Sequence, residues 1–220
     1  MSKLYVVATP IGNLEDITLR ALRILKEVDI IACEDSRVTK KLLNKYDIDT
    51  KTTSYYQHSS SKKVDHLINL LKSGNTMALV TDAGTPGIQD PGNGLVEVAR
   101  DEGIEIIPIS GASAVATALS VAGINADEFY FAGFLPKKKG RQTLFKYLNT
   151  IKVPVIIYES PHRIIRTLND INKYLEGRGV IVMRELTKKF EEIKEGNVLE
   201  LIEYFESKKP KGEFVLIIKA

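Results

Sequence analysis

Four stretches combine acids, hydroxyls or an arginine with the glycines and prolines that shape tight turns. Residues 79–92 read Leu-Val-Thr-Asp-Ala-Gly-Thr-Pro-Gly-Ile-Gln-Asp-Pro-Gly, with Asp82 and Asp90 toward the two ends and two Pro-Gly steps. Proline fixes φ and glycine opens backbone geometry closed to other residues, so this loop is stiff and specifically shaped. Glu34-Asp35-Ser36-Arg37 sets two adjacent carboxylates and a guanidinium after an apolar run. That grouping suits proton abstraction or the orientation of an anion, but helix capping by Asp35 or Ser36 with a local ion pair would use the same residues. Thr9-Pro10-Ile11-Gly12-Asn13-Leu14-Glu15-Asp16-Ile17-Thr18 is a tight turn whose Thr18 can cap the next helix. Ser110-Gly111-Ala112-Ser113-Ala114 has side chains small enough for a ligand to reach the backbone, or for a helix to pack closely. No segment matches G-x-G-x-x-G or G-x-x-x-x-G-K-[ST], which argues against a standard dinucleotide site and a P-loop. The three histidines are scattered, so no metal site is expected. Cys33 ends an apolar run and reads as a small core residue.

These stretches need strands and helices to hold them, and the hydrophobic pattern supplies both. Tyr5–Ala8, Asp29–Cys33, Thr52–Tyr56, Met77–Val80 and Ile104–Ile109 read as strands. Helical faces lie between them, including Leu19, Leu22, Leu25 and Val28, then Val64, Leu67, Ile68 and Leu71. Strands alternating with helices imply a parallel sheet with right-handed crossovers. All four stretches then open on one sheet edge, where open α/β folds bind ligands. Residues 1–123 are expected to form an N-terminal α/β domain and 124–220 a C-terminal α/β domain, with a polar step near Gly123–Asp127 between them. In the second part Glu128–Leu135, Val153–Tyr158, Val180–Met183 and Phe214–Ile218 read as strands of a mixed sheet, and Thr187–Lys194 is ambiguous. Pattern and spacing alone give a ligand-binding α/β protein of enzyme type.

The composition fits that class. The 220 residues are 44% hydrophobic and 27% charged, and the net charge of +3 is too small to argue for nucleic acid by itself. Two basic clusters stand out, Lys137-Lys138-Lys139 with Arg141, and Lys208, Lys209 and Lys211. They read as solvated surface or as phosphate contacts. One cysteine fits a reducing cytoplasm, and neither a signal peptide nor a membrane-spanning run is expected.

Read in order, seven stretches resemble the tetrapyrrole methylase superfamily: Ala8–Thr18, Cys33–Arg37, Val80–Gly92, Phe131–Pro136, Tyr158–Arg163, Arg184–Lys188 and Gly212–Val215. Within it the likeness is to the branch that methylates the 2′-hydroxyl of a cytidine ribose in 16S ribosomal RNA. The resemblance implies a parallel-sheet N-terminal domain, a mixed-sheet C-terminal domain, S-adenosylmethionine in the cleft between them, and a homodimer. It implies cofactor contacts from Pro10, Ala83, Gly84, Thr85, Ile88, Ser113 and Ala114, and from Glu159 and Leu186 in the second domain. A 2′-hydroxyl needs a base or acceptor, for which Glu34 and Asp35 are candidates, with Arg37 as orienting group and Lys188 as a further participant. Contacts to RNA of the small ribosomal subunit fall to Arg37, Lys137, Arg141, His162 and Arg163. His162 and Arg163 have helix capping as the alternative role. The rivals are a superfamily methyltransferase acting on a tetrapyrrole or other small acceptor, and a non-catalytic RNA-binding protein. Ser36 stands where many relatives have threonine. Many relatives also continue past the last strand into a helical tail, whereas this sequence stops at Ala220, so weaker RNA grip is expected if that tail holds RNA.

Overall fold

Period-two alternation in the first half of the chain becomes a sheet with two apolar faces. The computed structural model describes residues 2–56, 59–209 and 211–220, and divides into two compact units, Met1–Ser113 and Ala114–Ala220. In the first unit the strands are β1 (Lys3–Val7), β2 (Ile30–Cys33), β3 (Lys51–Ser54), β4 (Thr76–Leu79) and β5 (Glu105–Ile109). They interleave with α1 (Leu19–Glu27), α2 (Ser36–Lys45), α3 (Ser61–Lys72) and α4 (Asn93–Asp101). Sheet order is β3-β2-β4-β1-β5, with every pairing parallel.

Alternate residues of each strand go to opposite faces. Val7, Ile31, Cys33 and Ala78 pack with Ala21, Ile24 and Leu25 of α1 and Leu42 and Leu43 of α2. Leu4, Ala32, Met77 and Leu79 pack instead with Leu67, Ile68 and Leu71 of α3 and Leu95 and Ala99 of α4. The helix after β4 therefore lies on the face opposite to those after its neighbours β1 and β2. Connections that part in this way leave crevices beside the carboxyl end of β4, where open α/β sheets take ligands. Cys33 is fully buried, in keeping with a core role.

The second unit begins with α5 (Ala114–Val121) and continues through β6 (Tyr130–Phe134), α6 (Arg141–Leu148), β7 (Val155–Glu159), α7 (Ile164–Tyr174), β8 (Val180–Arg184), β9 (Glu192–Gly196), α8 (Val198–Lys208) and β10 (Phe214–Ile218). Its order is β6-β7-β10-β8-β9. Only the β6–β7 pair is parallel, and β10 runs antiparallel between β7 and β8. One face of this mixed sheet packs on α6, α7 and α8 through Phe145, Leu168, Ile171, Leu201 and Phe205. The ambiguous stretch Thr187–Lys194 splits into turns over 187–190 and the start of edge strand β9, whose Glu-Ile-Lys-Glu-Gly sequence carries the charges that keep an exposed edge from pairing further. The change of rhythm near residue 124 falls after α5, whereas α5 itself packs on β10 and groups with the second unit.

Candidate active site in the first unit

The loops after β1, β2, β4 and β5 are knit together by main-chain contacts. Thr9 and Gly84 form an isolated antiparallel bridge, with N–H groups donating both ways at 2.9 and 3.0 Å. The Thr9 hydroxyl donates to the Thr81 carbonyl at 3.0 Å, and both threonines are buried. The Thr85 hydroxyl donates to the Ala112 carbonyl at 3.2 Å, joining the β4 loop to the β5 loop. Gly84 holds φ +83°, a left-handed value, and a Cβ there would stand 3.4 Å from Ile11 Cγ2 and 3.8 Å from the Ala112 oxygen. At Gly111 a Cβ would come within 3.1 Å of Ala8 Cβ. Glycine at both places lets three loop backbones lie edge to edge. Further along the β4 loop, a Cβ on Gly92 would sit 3.0 Å from the Gly87 nitrogen, so the two Pro-Gly steps pack main chain against main chain.

The β2 loop joins the cluster through a carboxylate. Asp82 Oδ1 accepts from the Asp35 N–H at 3.0 Å. Asp35 in turn caps α2, accepting from the Arg37 N–H at 2.8 Å, and its carboxylate pairs with the Arg37 guanidinium at 2.6 Å. The capping reading of Asp35 is thus the one its contacts express. Hydrogen bonds from the Arg37 side chain and backbone hold its carboxyl down to about 2, far too low for an effective base near neutral pH. Glu34 is the opposite case. Partial burial raises its carboxyl, and the neighbouring charges of Asp82 and Asp90 push the same way. Hydrogen bonds from the Asp82 backbone and the Thr81 side chain offset part of the rise. Asp82 is itself raised, first by burial. The two neighbouring environments thus drive these carboxyls apart, Asp35 held down and charged and Glu34 raised.

The other residues singled out in the sequence distribute as follows. In the first unit Pro10 is buried, Ala83 and Ile88 are exposed, and Thr85 and Ser113 are half-buried. Ala114 opens α5. In the second unit Glu159 is 1% exposed. Its carboxylate accepts from the Ser160 N–H at 2.8 Å and from the Thr167 hydroxyl at 2.6 Å. Arg163 Nε lies 3.3 Å from Glu159 Oε1, while its Nη2 donates to the Leu135 carbonyl at 2.6 Å. Arg163 occupies the cap position of α7 without a side-chain cap bond, so capping is not its role. Arg141 requires a correction. Expected on a basic surface loop touching RNA, it is 4% exposed. It donates to Asp170 and Thr167, each at 2.7 Å, and to the Pro136 carbonyl at 3.2 Å. Helix α6 starts at this residue and turns the guanidinium inward, so it braces the unit and is not available to a phosphate. Lys137 and His162 remain exposed. Leu186 is buried between Glu185 and Thr187, both in the left-handed region at φ 53° and 66°. Lys188 bonds Glu185 and Glu213, each at 2.8 Å. Gly212 (φ +90°) gives the Glu185 carboxylate space that a Cβ would take. The Arg184–Lys188 and Gly212–Val215 stretches are thereby one hydrogen-bonded knot.

A family model described as tetrapyrrole (corrin/porphyrin) methylases matches residues 3–202. The chain belongs to the tetrapyrrole methylase family. It is 50% identical over 217 residues to a ribosomal RNA small subunit methyltransferase I of Halalkalibacterium halodurans, covering 98% of this chain and 75% of that protein. It is 45% identical over 218 residues to one of Thermotoga maritima, covering 99% and 98%. Among solved structures, diphthine synthase matches with a TM-score of 0.78 at 14% identity, over 99% of this chain and 89% of that one, which speaks to the fold alone.

For a tetrapyrrole methylase, what sequence reading missed is not these loops but the ties between them. Thr9 and Thr81 are buried polar groups that lock β1 to β4, and Asp82 anchors the start of α2. Tyr55, 6% exposed, accepts the Leu95 N–H of α4 at 3.1 Å. For Thr9 and Thr81 the one sequence signal is a polar residue closely following an apolar strand, too common to single them out, and Tyr55 follows the polar strand β3, which gives no signal at all.

Proposed function

We propose that the protein transfers a methyl group from S-adenosylmethionine to the 2′-hydroxyl of a cytidine ribose in 16S ribosomal RNA. The observation that carries this reading is near-full-length identity to relatives named for methylation of small-subunit ribosomal RNA. The loop cluster supports it chemically. Main chain at exposed Ala83 and half-buried Ser113 offers peptide donors and acceptors beside the buried Thr9–Gly84 bridge, and Glu34, Asp82 and Asp90 give the cluster a negative field that suits a cationic ligand. Pro10, Ala83, Gly84, Thr85, Ile88 and the Ser113-Ala114 step would hold S-adenosylmethionine. When bound, that cofactor supplies a methyl group already activated on a sulfonium sulfur. The chain's own residues do the rest. Positioning accounts for much of the acceleration, and Glu34 takes the 2′-hydroxyl proton as the oxygen becomes nucleophilic. Arg37, with its side chain 87% exposed, is held on a short tether by Asp35 and presents its guanidinium to the RNA backbone. Lys137 and His162 are the exposed RNA-contact candidates of the second unit, and Arg163 is turned to the Leu135 carbonyl.

The deciding experiment incubates the protein with labelled S-adenosylmethionine and undermodified small ribosomal subunits, or with a free tetrapyrrole. Label on a cytidine ribose is expected. Label on tetrapyrrole carbon, or none, would overturn the reading. Arg37→Ala should lower methyl transfer roughly tenfold, as loss of one charge-assisted contact does, with S-adenosylmethionine affinity by titration calorimetry unchanged; full activity would remove Arg37 from the site. Gly84→Val places a β-branched residue at φ +83°, a strain on the order of 1–3 kcal/mol. Calorimetry should show at least a tenfold loss of S-adenosylmethionine affinity, and wild-type affinity would refute the loop assignment. We also assign the protein to the cytoplasm as a homodimer. Among the described residues no helix is long and apolar enough to cross a membrane. Phe129 and Phe134, exposed at the two ends of edge strand β6, offer apolar surface to a second copy. Sedimentation velocity checks the dimer.

A further inference from the structure

The second unit carries a basic cup that the reaction does not use. A cavity of about 280 Å³ is lined by Arg184, Glu192, Phe205, Lys208, Lys209 and Lys211. The one carboxylate among its described lining residues, Glu192, is already engaged. It accepts from Arg184 Nε at 3.0 Å, takes a hydrogen bond from the Tyr204 hydroxyl and lies 3.6 Å from Lys208. Lys209 and Lys211 are exposed and have no anionic partner among the described residues. Lys209 ends α8 in the left-handed region at φ 48°, an uncommon setting for a lysine. Lys208, Lys209 and Lys211 line one opening. Four cations against one spent carboxylate leave a concave, same-sign site whose repulsion an anion would relieve. The floor is Phe205, 1% exposed, which offers no hydrogen-bonding group to a base edge. The space holds a few waters or a phosphate with its first oxygens, and falls just under the usual range for a small-molecule pocket.

We infer that this cup, formed by Arg184, Lys208, Lys209 and Lys211, binds a phosphodiester of the RNA backbone and anchors the substrate away from the reacting ribose. The inference rests on the RNA-methylating reading, and its test keeps the two apart. Lys209→Gln with Lys211→Gln leaves the Glu192 bonds and the loop cluster untouched, so melting temperature and S-adenosylmethionine affinity serve as controls. Binding to undermodified small subunits is measured over a range of salt. Losing two phosphate contacts should reduce the slope of log K against log salt by about 1.4–1.8, at 0.7–0.9 per contact, and weaken binding roughly tenfold at low salt. A slope equal to wild type overturns the inference while leaving the reaction standing. If wild-type protein neither binds nor methylates the subunits, the functional reading fails. Inorganic pyrophosphate then decides the cup by NMR. Saturable shifts of the Lys208, Lys209 and Lys211 amides, absent in the double variant, would sustain a phosphate site that serves free phosphates, against the RNA assignment. No shifts would overturn the site altogether.

Discussion

Glu34→Gln is expected to lower methyl transfer by about 10²–10⁴-fold, the usual contribution of a positioned general base, while S-adenosylmethionine affinity stays near wild type. The amide keeps the shape and an acceptor oxygen but cannot take a proton. The pH profile adds a readout that a purely structural role would not move. A base works ionised, so the rate falls as pH drops through its pKa. Burial, with the charges of Asp82 and Asp90, raises the Glu34 carboxyl above its ordinary value of 4.5, and the acid limb of kcat/KM should therefore lie above that value. Asp82→Asn removes one of the raising charges while keeping an oxygen for the Asp35 N–H. It should move the limb to lower pH, and Glu34→Gln should abolish it. Asp35, held at about 2, stays charged throughout this range and contributes no limb. An unchanged profile in Asp82→Asn, with normal rates in Glu34→Gln, would exclude Glu34 as the acceptor.

Arg141→Met is expected to destabilise the second unit by about 3–5 kcal/mol, the cost of breaking a buried ion pair by removing one partner. Arg141 binds Asp170 and Thr167, and Thr167 donates to the fully buried Glu159, so the change reaches through two residues to the end of β7. Methionine fills much of the volume, which separates lost polar pairing from a cavity. At about 4 °C per kcal/mol for a unit of this size, a fall in melting temperature of roughly 12–20 °C follows. Calorimetry checks it, and a fall of under 2 °C would show that Arg141 is dispensable to the core. Because the guanidinium is internal, the salt dependence of RNA binding should match wild type after allowance for unfolded protein. A reduced salt slope would return Arg141 to the RNA-contact set.

The strand–helix rhythm, the parallel first sheet and the four loops on one edge are legible in the residue pattern. Each of these rests on local rules. Alternating apolar residues mark strands, a 3.6-residue period marks helices, and Pro-Gly steps mark turns. Strand β9 escaped because edge position, not hydrophobicity, makes it a strand, and its Glu-Ile-Lys-Glu-Gly sequence has little apolar pattern to read. The tertiary structure alone decided how the charged residues divide their work. Glu34 and Asp35 are chemically alike neighbours in sequence. One is partly buried, near the charges of Asp82 and Asp90, and is raised; the other caps the first turn of α2, pairs with Arg37 and is held down. Arg141 and Lys137 both sit near a basic loop, yet one is turned into the core by the start of α6 and the other faces solvent. Charge and spacing are local properties. Burial and the identity of a partner 29 or 47 residues away, as for Arg141 with Asp170 and Asp35 with Asp82, come into being only when the chain closes on itself.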